Sequence, residues 1–316
     1  MSKKNRFRDV YPPYLPPFYF LLLKLRKSYR QRMTRFTEER VRRSGPVHIV
    51  ADGDGEWTVP VNGLIPNPVQ HINRSALWMD EDLNLPEIKA IIKEINDIKQ
   101  TLTSRGLKFT STAASFIPRM YTEYSEKKNA WENAWCFLHS KVKPTDKVLD
   151  IGGSSTAFNF YLASLGCKVS SVDNDWNNYG INYNTNYVGK KMGWNIRAYD
   201  IDGGKRLPFP DNHFDRIFSI CVIEHLTSKA RRGLMKELGR VIKPGGIASF
   251  STDYDPQREV LVFDKGLRFA YRKKFEEDVI NPSGLVLHGN QTLIDAYPDQ
   301  NFLGAFFLKK REKNAF

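Results

Sequence analysis

The chain has 316 residues, of which 41% are hydrophobic and 26% are charged, a length and balance that exclude a disordered or fibrous protein and fit a globular one with a full α/β core. Its net charge is +13, yet most of that charge lies in one short segment. The three cysteines, Cys136, Cys167 and Cys221, form no CxxC pair, which favours free thiols over a disulfide framework or a zinc site.

The first segment, residues 1–45, is a basic arm. It holds thirteen Lys or Arg and three acidic residues, a net charge of +10. Its apolar run, Phe18–Leu23, is too short for a membrane span and lacks a cleavage site, so we expect a cytoplasmic protein. A helix over 18–43, beginning after Pro16 and Pro17, could dock on the body or on a second subunit. It could also lie on an anionic membrane surface, which would make the protein peripheral to the membrane.

The second segment, residues 46–120, is an accessory region that we expect to be mainly helical. VHIV and EWTVPV predict short strands separated by Asp-Gly turns. From Asn84 onward the pattern changes, and isoleucines recur at helical spacing until Gly106. This periodicity predicts an amphipathic helix over about 85–104, with its apolar face in a core.

The third segment, residues 121–316, alternates between helix and strand signals. A helix over about 122–140 leads into the strand KVLDI. The strands VSSVD, NIRAYD, FDRIFSICVI and GIASFS follow, separated by stretches of helical length, and LGAFFLKK near the end predicts another strand. This alternation predicts an α/β fold with a largely parallel sheet and helices on both faces.

Small residues follow the first strand of this segment, in the run KVLDIGGSSTAF. Asp150 ends the strand, and Gly152, Gly153 and Ser154 precede a helix. Small residues at a strand-to-helix turn let a ligand approach the backbone and the free N–H groups of the new helix. Alone, the pattern also fits a simple tight connection.

The next three strands also end in polar residues. Asp173 follows the second strand, where a carboxylate can accept hydrogen bonds from both ribose hydroxyls of a nucleoside. Asp200 follows the third strand, where it can accept from an adenine amino group while the Ile201 N–H binds a ring nitrogen. Glu224 and His225 lie beyond the fourth strand. Because ligands bind at the carboxyl ends of parallel strands, the four segments together predict one site at one sheet edge.

The ordered set VLDIGGSSTAF, SVDND, LPFPDNHFD, IEHL and IKPGG resembles the motifs of class I S-adenosylmethionine-dependent methyltransferases. It is most similar to the broad subgroup that acts on small molecules, lipids or sugars. The resemblance covers about residues 145–255. It implies a doubly wound, seven-stranded Rossmann-like sheet over 121–316 with a reversed final hairpin, and S-adenosylmethionine as the cofactor.

The resemblance also implies roles for individual residues. Asp150, Gly152, Gly153 and Ser154 would lie near the methionine part of the cofactor. Asp173 would hold the ribose, Asn174 would flank the adenine, and Asp200 with Ile201 would recognise it. Cys221 and Val222 would border the sulfonium through their backbone. The chain departs from the family's alternating glycines, because the positions after the acidic residue are Gly152, Ser154 and Thr156.

Methyl transfer is a direct displacement that requires alignment of nucleophile, methyl group and sulfur. A base is needed only for a weak nucleophile such as a sugar hydroxyl. His225 is the strongest candidate, and Glu224 and Asp253 are weaker ones. His225 could instead pack or cap its loop. Arg119, Tyr121 and Tyr124 could close over the cofactor.

The predicted acceptor is a small molecule or glycan, methylated on an oxygen. A nucleic-acid methyltransferase would explain the basic arm. Enzymes that methylate base nitrogens, however, usually carry Asn/Asp-Pro-Pro-aromatic where this chain has CVIEHL. A nicotinamide-dependent dehydrogenase would need GxGxxG, which the turn after Asp150 does not supply. The altered glycines leave open a partner protein that keeps the fold without the chemistry.

Overall fold

The computed structural model describes residues 48–51, 57–58, 75–77, 80–109, 123–174, 180–201, 205–253, 275–288, 291–294 and 303–311. All of them belong to one compact unit. The predicted basic arm, residues 1–45, lies outside the described residues, as do Arg119, Tyr121 and the side chain of Tyr124. The boundaries predicted between the arm, the accessory region and the third segment, residues 121–316, therefore stay predictions.

The described residues contain eleven strands and six α-helices. In chain order, β1 to β11 are His48–Ala51, Trp57–Thr58, Ser75–Leu77, Lys147–Ile151, Lys168–Asp173, Ile196–Asp200, Phe214–Ile220, Ile242–Asp253, Val286–Leu287, Gln291–Ile294 and Leu303–Lys309. Helices α1 to α6 are Pro86–Ser104, Glu123–Ser140, Ala157–Ser164, Ile181–Met192, Ser228–Val241 and Asn281–Ser283. Two 3-10 helices, Asp80–Asn84 and Ile223–His225, and a π-helical turn, Glu276–Ile280, complete the list.

Seven of the strands form the predicted doubly wound sheet, in the order β6-β5-β4-β7-β8-β11-β9. Strands β4 to β8 pair in parallel, whereas β11 runs antiparallel to both β8 and β9. Parallel neighbours require crossover connections, which helices α3, α4 and α5 provide. The predicted fold class and its reversed final strand are confirmed.

Four short strands extend this sheet beyond β11. Strand β3 pairs with β11, β10 pairs with β3, and β1 and β2 continue the edge. Strands β1 and β2 correspond to the predicted segments VHIV and EWTVPV of the accessory region, whereas β3 and the partners of all three strands were not predicted. The accessory region therefore adds strands to the same sheet as the third segment, residues 121–316.

The helices cover both faces of the sheet. The isoleucines of α1 pack with α2, α3 and α4 on one face, where Ile88, Ile91 and Ile95 are buried at the predicted helical spacing. Helix α5 packs on the other face through Leu234 and Leu238. Each buried aliphatic side chain contributes roughly 1.5–3 kcal/mol relative to an exposed one. The sheet is thereby fixed from both sides.

This packing determines where a ligand can bind. Because β4 to β8 are parallel, their carboxyl ends share one edge, which is where open α/β sheets bind ligands.

None of the helices in the described part of the chain combines the length and apolar character that a membrane span requires.

Candidate active site

The structure brings most of the predicted site residues to the carboxyl edge of the parallel strands. Asp150 lies in β4, Asp173 ends β5, Asp200 ends β6 and Cys221 directly follows β7. Asp253 is the last residue of β8, and its side chain lies outside the described residues. Topology alone therefore gathers residues that are up to about a hundred positions apart in the sequence.

The turn after β4 requires both of its glycines. Gly152 adopts a φ of 78°, and a Cβ there would lie 2.6 Å from Val222 Cγ2. A Cβ on Gly153 would lie 2.5 Å from Asp150 Oδ1. Thr156 caps the start of helix α3, because its hydroxyl oxygen accepts a hydrogen bond from the Asn159 N–H at 3.3 Å.

Asp150 lies beneath this turn rather than at the surface of the cleft. Its side chain is buried, and Oδ2 accepts from the Gly153 N–H at 2.9 Å, from Asn159 Nδ2 at 2.7 Å and from Ser171 Oγ at 2.8 Å. Burial raises the pKa of Asp150 to about 6, although these three hydrogen bonds oppose the rise. Asp150 therefore shapes the turn after β4, the turn that the sequence resemblance assigns to the methionine part of the cofactor.

The serines that replace or follow glycine in this turn direct their side chains into the protein. Ser154 is buried, and its hydroxyl donates to Asn182 Oδ1 on α4 at 2.7 Å. Ser155 is also buried, with a φ of 66°, and its N–H donates to Thr185 Oγ1 at 2.7 Å. The turn is thus tied to α4, and neither serine side chain fills the cleft.

The ends of β5 and β6 carry the predicted nucleoside residues. Asp173 and Asp200 are register partners, with Asp173 partly exposed and Asp200 exposed. Asn174 is also exposed. The Ile201 N–H, which the sequence assigns to an adenine nitrogen, donates to the Asp173 carbonyl oxygen at 3.2 Å. Adenine could use this N–H only by replacing that bond.

The end of β7 has a strained backbone. Cys221 has a φ of 57°, a left-handed conformation that a residue with a Cβ rarely adopts. Its N–H donates to the carbonyl oxygen of Ser251 at 2.9 Å and to Ser251 Oγ at 3.1 Å. The Ser251 hydroxyl in turn donates to Glu132 Oε2 on α2 at 2.8 Å.

The two acid–base candidates after β7 differ in exposure. Glu224 is fully buried, and its Oε2 accepts from Thr252 Oγ1 at 3.2 Å. The His225 side chain is 61% exposed, with Nε2 3.9 Å from Glu224 Oε1. Of these two side chains, only His225 is accessible to an acceptor that enters from solvent, whereas Glu224 ties its 3-10 turn to β8.

Five polar residues that hydrogen-bond to the site residues, or to one another behind them, were not predicted from the sequence. They are Glu132, Asn159, Ser171, Asn182 and Ser251. A weak signal was present for Glu132, because it directly follows Trp131 in a helix with the buried residues Ala134 and Trp135. A charged residue in such surroundings needs a partner, but the local pattern does not say which one.

The chain is similar to several known proteins. A family model described as a methyltransferase domain matches residues 149–250. A sterol 24-C-methyltransferase of Pneumocystis carinii is 30% identical over 141 residues, which cover 40% of this chain and 35% of that protein. A probable tRNA methyltransferase 9B of Mus musculus is 32% identical over 130 residues, 40% of this chain and 25% of that protein.

A third relative is a ubiquinone/menaquinone biosynthesis C-methyltransferase of Shewanella sp., 30% identical over 123 residues, 39% of this chain and 48% of that protein. The chain thus spans less than half the length of each of these relatives. The range matched by the family model includes Asp150, Asp173, Asp200 and Cys221, so it covers the motifs described above.

Proposed function

This chain carries a class I S-adenosylmethionine-dependent methyltransferase domain, and from that premise we propose that the protein methylates a small-molecule or glycan acceptor at an oxygen atom. The match to residues 149–250 bears out the family and the cofactor class predicted from the sequence. The observation that supports the cofactor site in this proposal is the register pairing of Asp173 with Asp200 beside a glycine turn.

The donor groups at this edge fit the proposed cofactor. S-adenosylmethionine presents two ribose hydroxyls and an adenine amino group, all hydrogen-bond donors, and carboxylates are acceptors. Asp173 would hold the ribose and Asp200 the adenine, and the turn over Gly152 and Gly153 would receive the methionine end. The buried side chains of Ser154 and Ser155 leave that turn open, which supports a working site over a degenerate copy.

The cofactor, when bound, supplies a methyl group already activated by its sulfonium. The protein would hold the cofactor and the acceptor so that the nucleophile, the methyl group and the sulfur are aligned for direct attack. For a hydroxyl acceptor, His225 would take the proton at Nε2 or Nδ1, since its side chain is exposed at the edge that holds the other site residues. Glu224 would hold the turn that carries His225.

The acceptor class rests on the segment after β7. Relatives are named for sterol carbon, quinone and tRNA methylation, so similarity alone leaves the acceptor open. The segment CVIEHL lacks the Asn/Asp-Pro-Pro-aromatic sequence typical of base-nitrogen methylation, which supports a small acceptor. Transfer RNA is the second candidate, favoured by the probable tRNA methyltransferase relative and by the basic residues of segment 1–45.

A labelled-methyl assay tests this choice. The purified protein would be incubated with methyl-labelled S-adenosylmethionine and, separately, with simple sugars, lipid-linked glycans and transfer RNA. Base-stable label in a sugar or glycan is the expected result, because an ether forms at oxygen. Label in transfer RNA, or only in a carbon or nitrogen acceptor, would contradict the proposal.

Our proposal for location is a cytoplasmic protein that contacts a membrane surface or a partner protein through residues 1–45. The charge of +10 in that segment supports attraction to anionic lipid. Full-length protein should sediment with anionic vesicles but not with neutral ones, and residues 46–316 should remain in the supernatant. Equal sedimentation of the two proteins would exclude a membrane role for residues 1–45.

A further inference from the structure

A buried hydrogen-bond chain connects helix α2 to the strained turn at the end of β7. The Ser251 hydroxyl donates to Glu132 Oε2, and the same oxygen accepts from the Cys221 N–H. The two hydrogen bonds are compatible, because the Ser251 hydroxyl donates its one proton in the first and accepts through a lone pair in the second. Glu132 is 2% exposed and Ser251 is fully buried, so water does not compete for these bonds.

The conformation of Cys221 needs such support. A residue with a Cβ keeps a left-handed φ only where its surroundings hold it there. The Cys221 N–H meets two oxygens of one residue, the Ser251 carbonyl and the Ser251 hydroxyl. The hydroxyl is held in turn by Glu132, so the carboxylate acts on the turn through one intermediary.

Helix α2 meets this turn a second time. Lys128 lies one helical turn before Glu132, on the same face, and its Nζ is 4.0 Å from Cys221 Sγ. The backbone and the side chain of Cys221 are therefore both contacted by α2, directly or through Ser251. An element outside the matched range 149–250 thus reaches the centre of the proposed site.

On the basis of the proposed function, we propose that Glu132 is a positioning residue that, through Ser251, holds the Cys221 peptide where it borders the methionine end of the cofactor. Glu132 does not touch the cofactor or the acceptor in this role. Its effect is to keep a strained backbone in place before the cofactor arrives, so that binding does not have to impose the conformation.

Two substitutions remove the connection at different points. Glu132→Leu and Ser251→Ala should each weaken S-adenosylmethionine binding about tenfold in a calorimetric titration, the effect of releasing one strained backbone conformation. Glu132→Gln keeps an acceptor oxygen for Ser251 and should stay close to the wild type. If Glu132→Leu fails to fold, Ser251→Ala carries the test.

The Cys221→Gly substitution distinguishes a positioning effect of Ser251 on the residue 221 backbone from a general loss of stability. Glycine adopts a left-handed φ without steric cost. In a Cys221→Gly background, Ser251→Ala should therefore lose most of its effect on cofactor affinity. Unchanged affinity in both single variants, or a full loss that persists with glycine, would overturn the inference. Failure of the wild type to bind the cofactor would instead overturn the proposed function.

Thiol labelling gives a readout that needs no cofactor. Cys221 is partly exposed, whereas Cys136 and Cys167 are buried, so a thiol reagent applied to the folded protein reports mainly on position 221. Ser251→Ala should change the labelling rate at that thiol severalfold, and Glu132→Gln should not. Equal rates in all three proteins would contradict the proposed connection.

Discussion

Asp173 and Asp200 end neighbouring parallel strands as direct register partners, which puts two acidic side chains on one face at the ligand-binding edge of the sheet. Their carboxylates are the acceptors that a nucleoside would use. The pairing follows from the strand order and not from any nearness in sequence.

Asp173→Ala should weaken S-adenosylmethionine binding by at least about tenfold, because a hydrogen bond to a charged group is worth roughly 1.5–3 kcal/mol. The fold should remain, since Asp173 is partly exposed at a strand end. Calorimetric titration measures the affinity. Asp97→Ala, on the exposed face of α1, is the matched control and should bind as the wild type does. An unchanged dissociation constant for Asp173→Ala would remove the ribose assignment.

Restoring the family's glycine at position 154 should destabilise the protein. Ser154→Gly removes the donor to Asn182 Oδ1 and adds backbone freedom, at a combined cost of roughly 2 kcal/mol. Urea unfolding measures this cost. In an Asn182→Ala background, Ser154→Ala should cost much less than it does alone. A gain in stability from Ser154→Gly would show that the hydroxyl has no structural role.

Asp150→Asn should stabilise the protein more at pH 7.5 than at pH 4. The pKa of Asp150 is about 6 in the folded protein, above its ordinary 3.8. Between these values the unfolded chain releases the proton while the folded chain keeps it, so the stability of the wild type falls as pH rises. The total fall corresponds to about 3 kcal/mol, and asparagine does not titrate.

The unfolding free energies of the two proteins, measured in denaturant from pH 4 to 7.5, test this linkage. The difference should grow through that range and level off above about pH 6, where Asp150 is ionised in both states. A difference that does not depend on pH would mean that burial leaves the Asp150 pKa at its ordinary value.

His225→Asn should lower the turnover number with a hydroxyl acceptor by roughly 100-fold or more, the usual contribution of a general base. Cofactor affinity should not change, because His225 is not among the residues that would hold the cofactor. Initial rates with the acceptor found in the labelling screen provide the measurement. Full activity would mean that the acceptor needs no base and that His225 only packs its loop.

Local sequence patterns were sufficient for much of the fold. The isoleucine spacing predicts α1 within a residue or two, and apolar runs predict the strands that carry Asp150, Asp173 and Asp200. These elements are decided by side-chain periodicity within short windows. The glycines and the acidic strand ends then place the candidate site, because topology brings the ends of parallel strands together.

The supporting contacts could not be predicted in this way. Glu132 and Ser251 are 119 residues apart, and their hydrogen bond exists only once α2 packs against β8. The partners in the pairing of β3 with β11, such as Leu77 and Gly304, lie even farther apart in the sequence. The Ser154 side chain points inward because it hydrogen-bonds to Asn182 on α4. The sequence therefore shows that serine replaces glycine at position 154, but it does not show that the turn accommodates the serine.

The most direct test of the cofactor assignment is a calorimetric titration of the purified protein with S-adenosylmethionine and, separately, with NAD. We expect saturable one-to-one binding of S-adenosylmethionine and no binding of NAD. Absence of S-adenosylmethionine binding would contradict the assignment. It would mean that the protein has the methyltransferase fold but that its turn from Gly152 to Thr156 does not bind the cofactor.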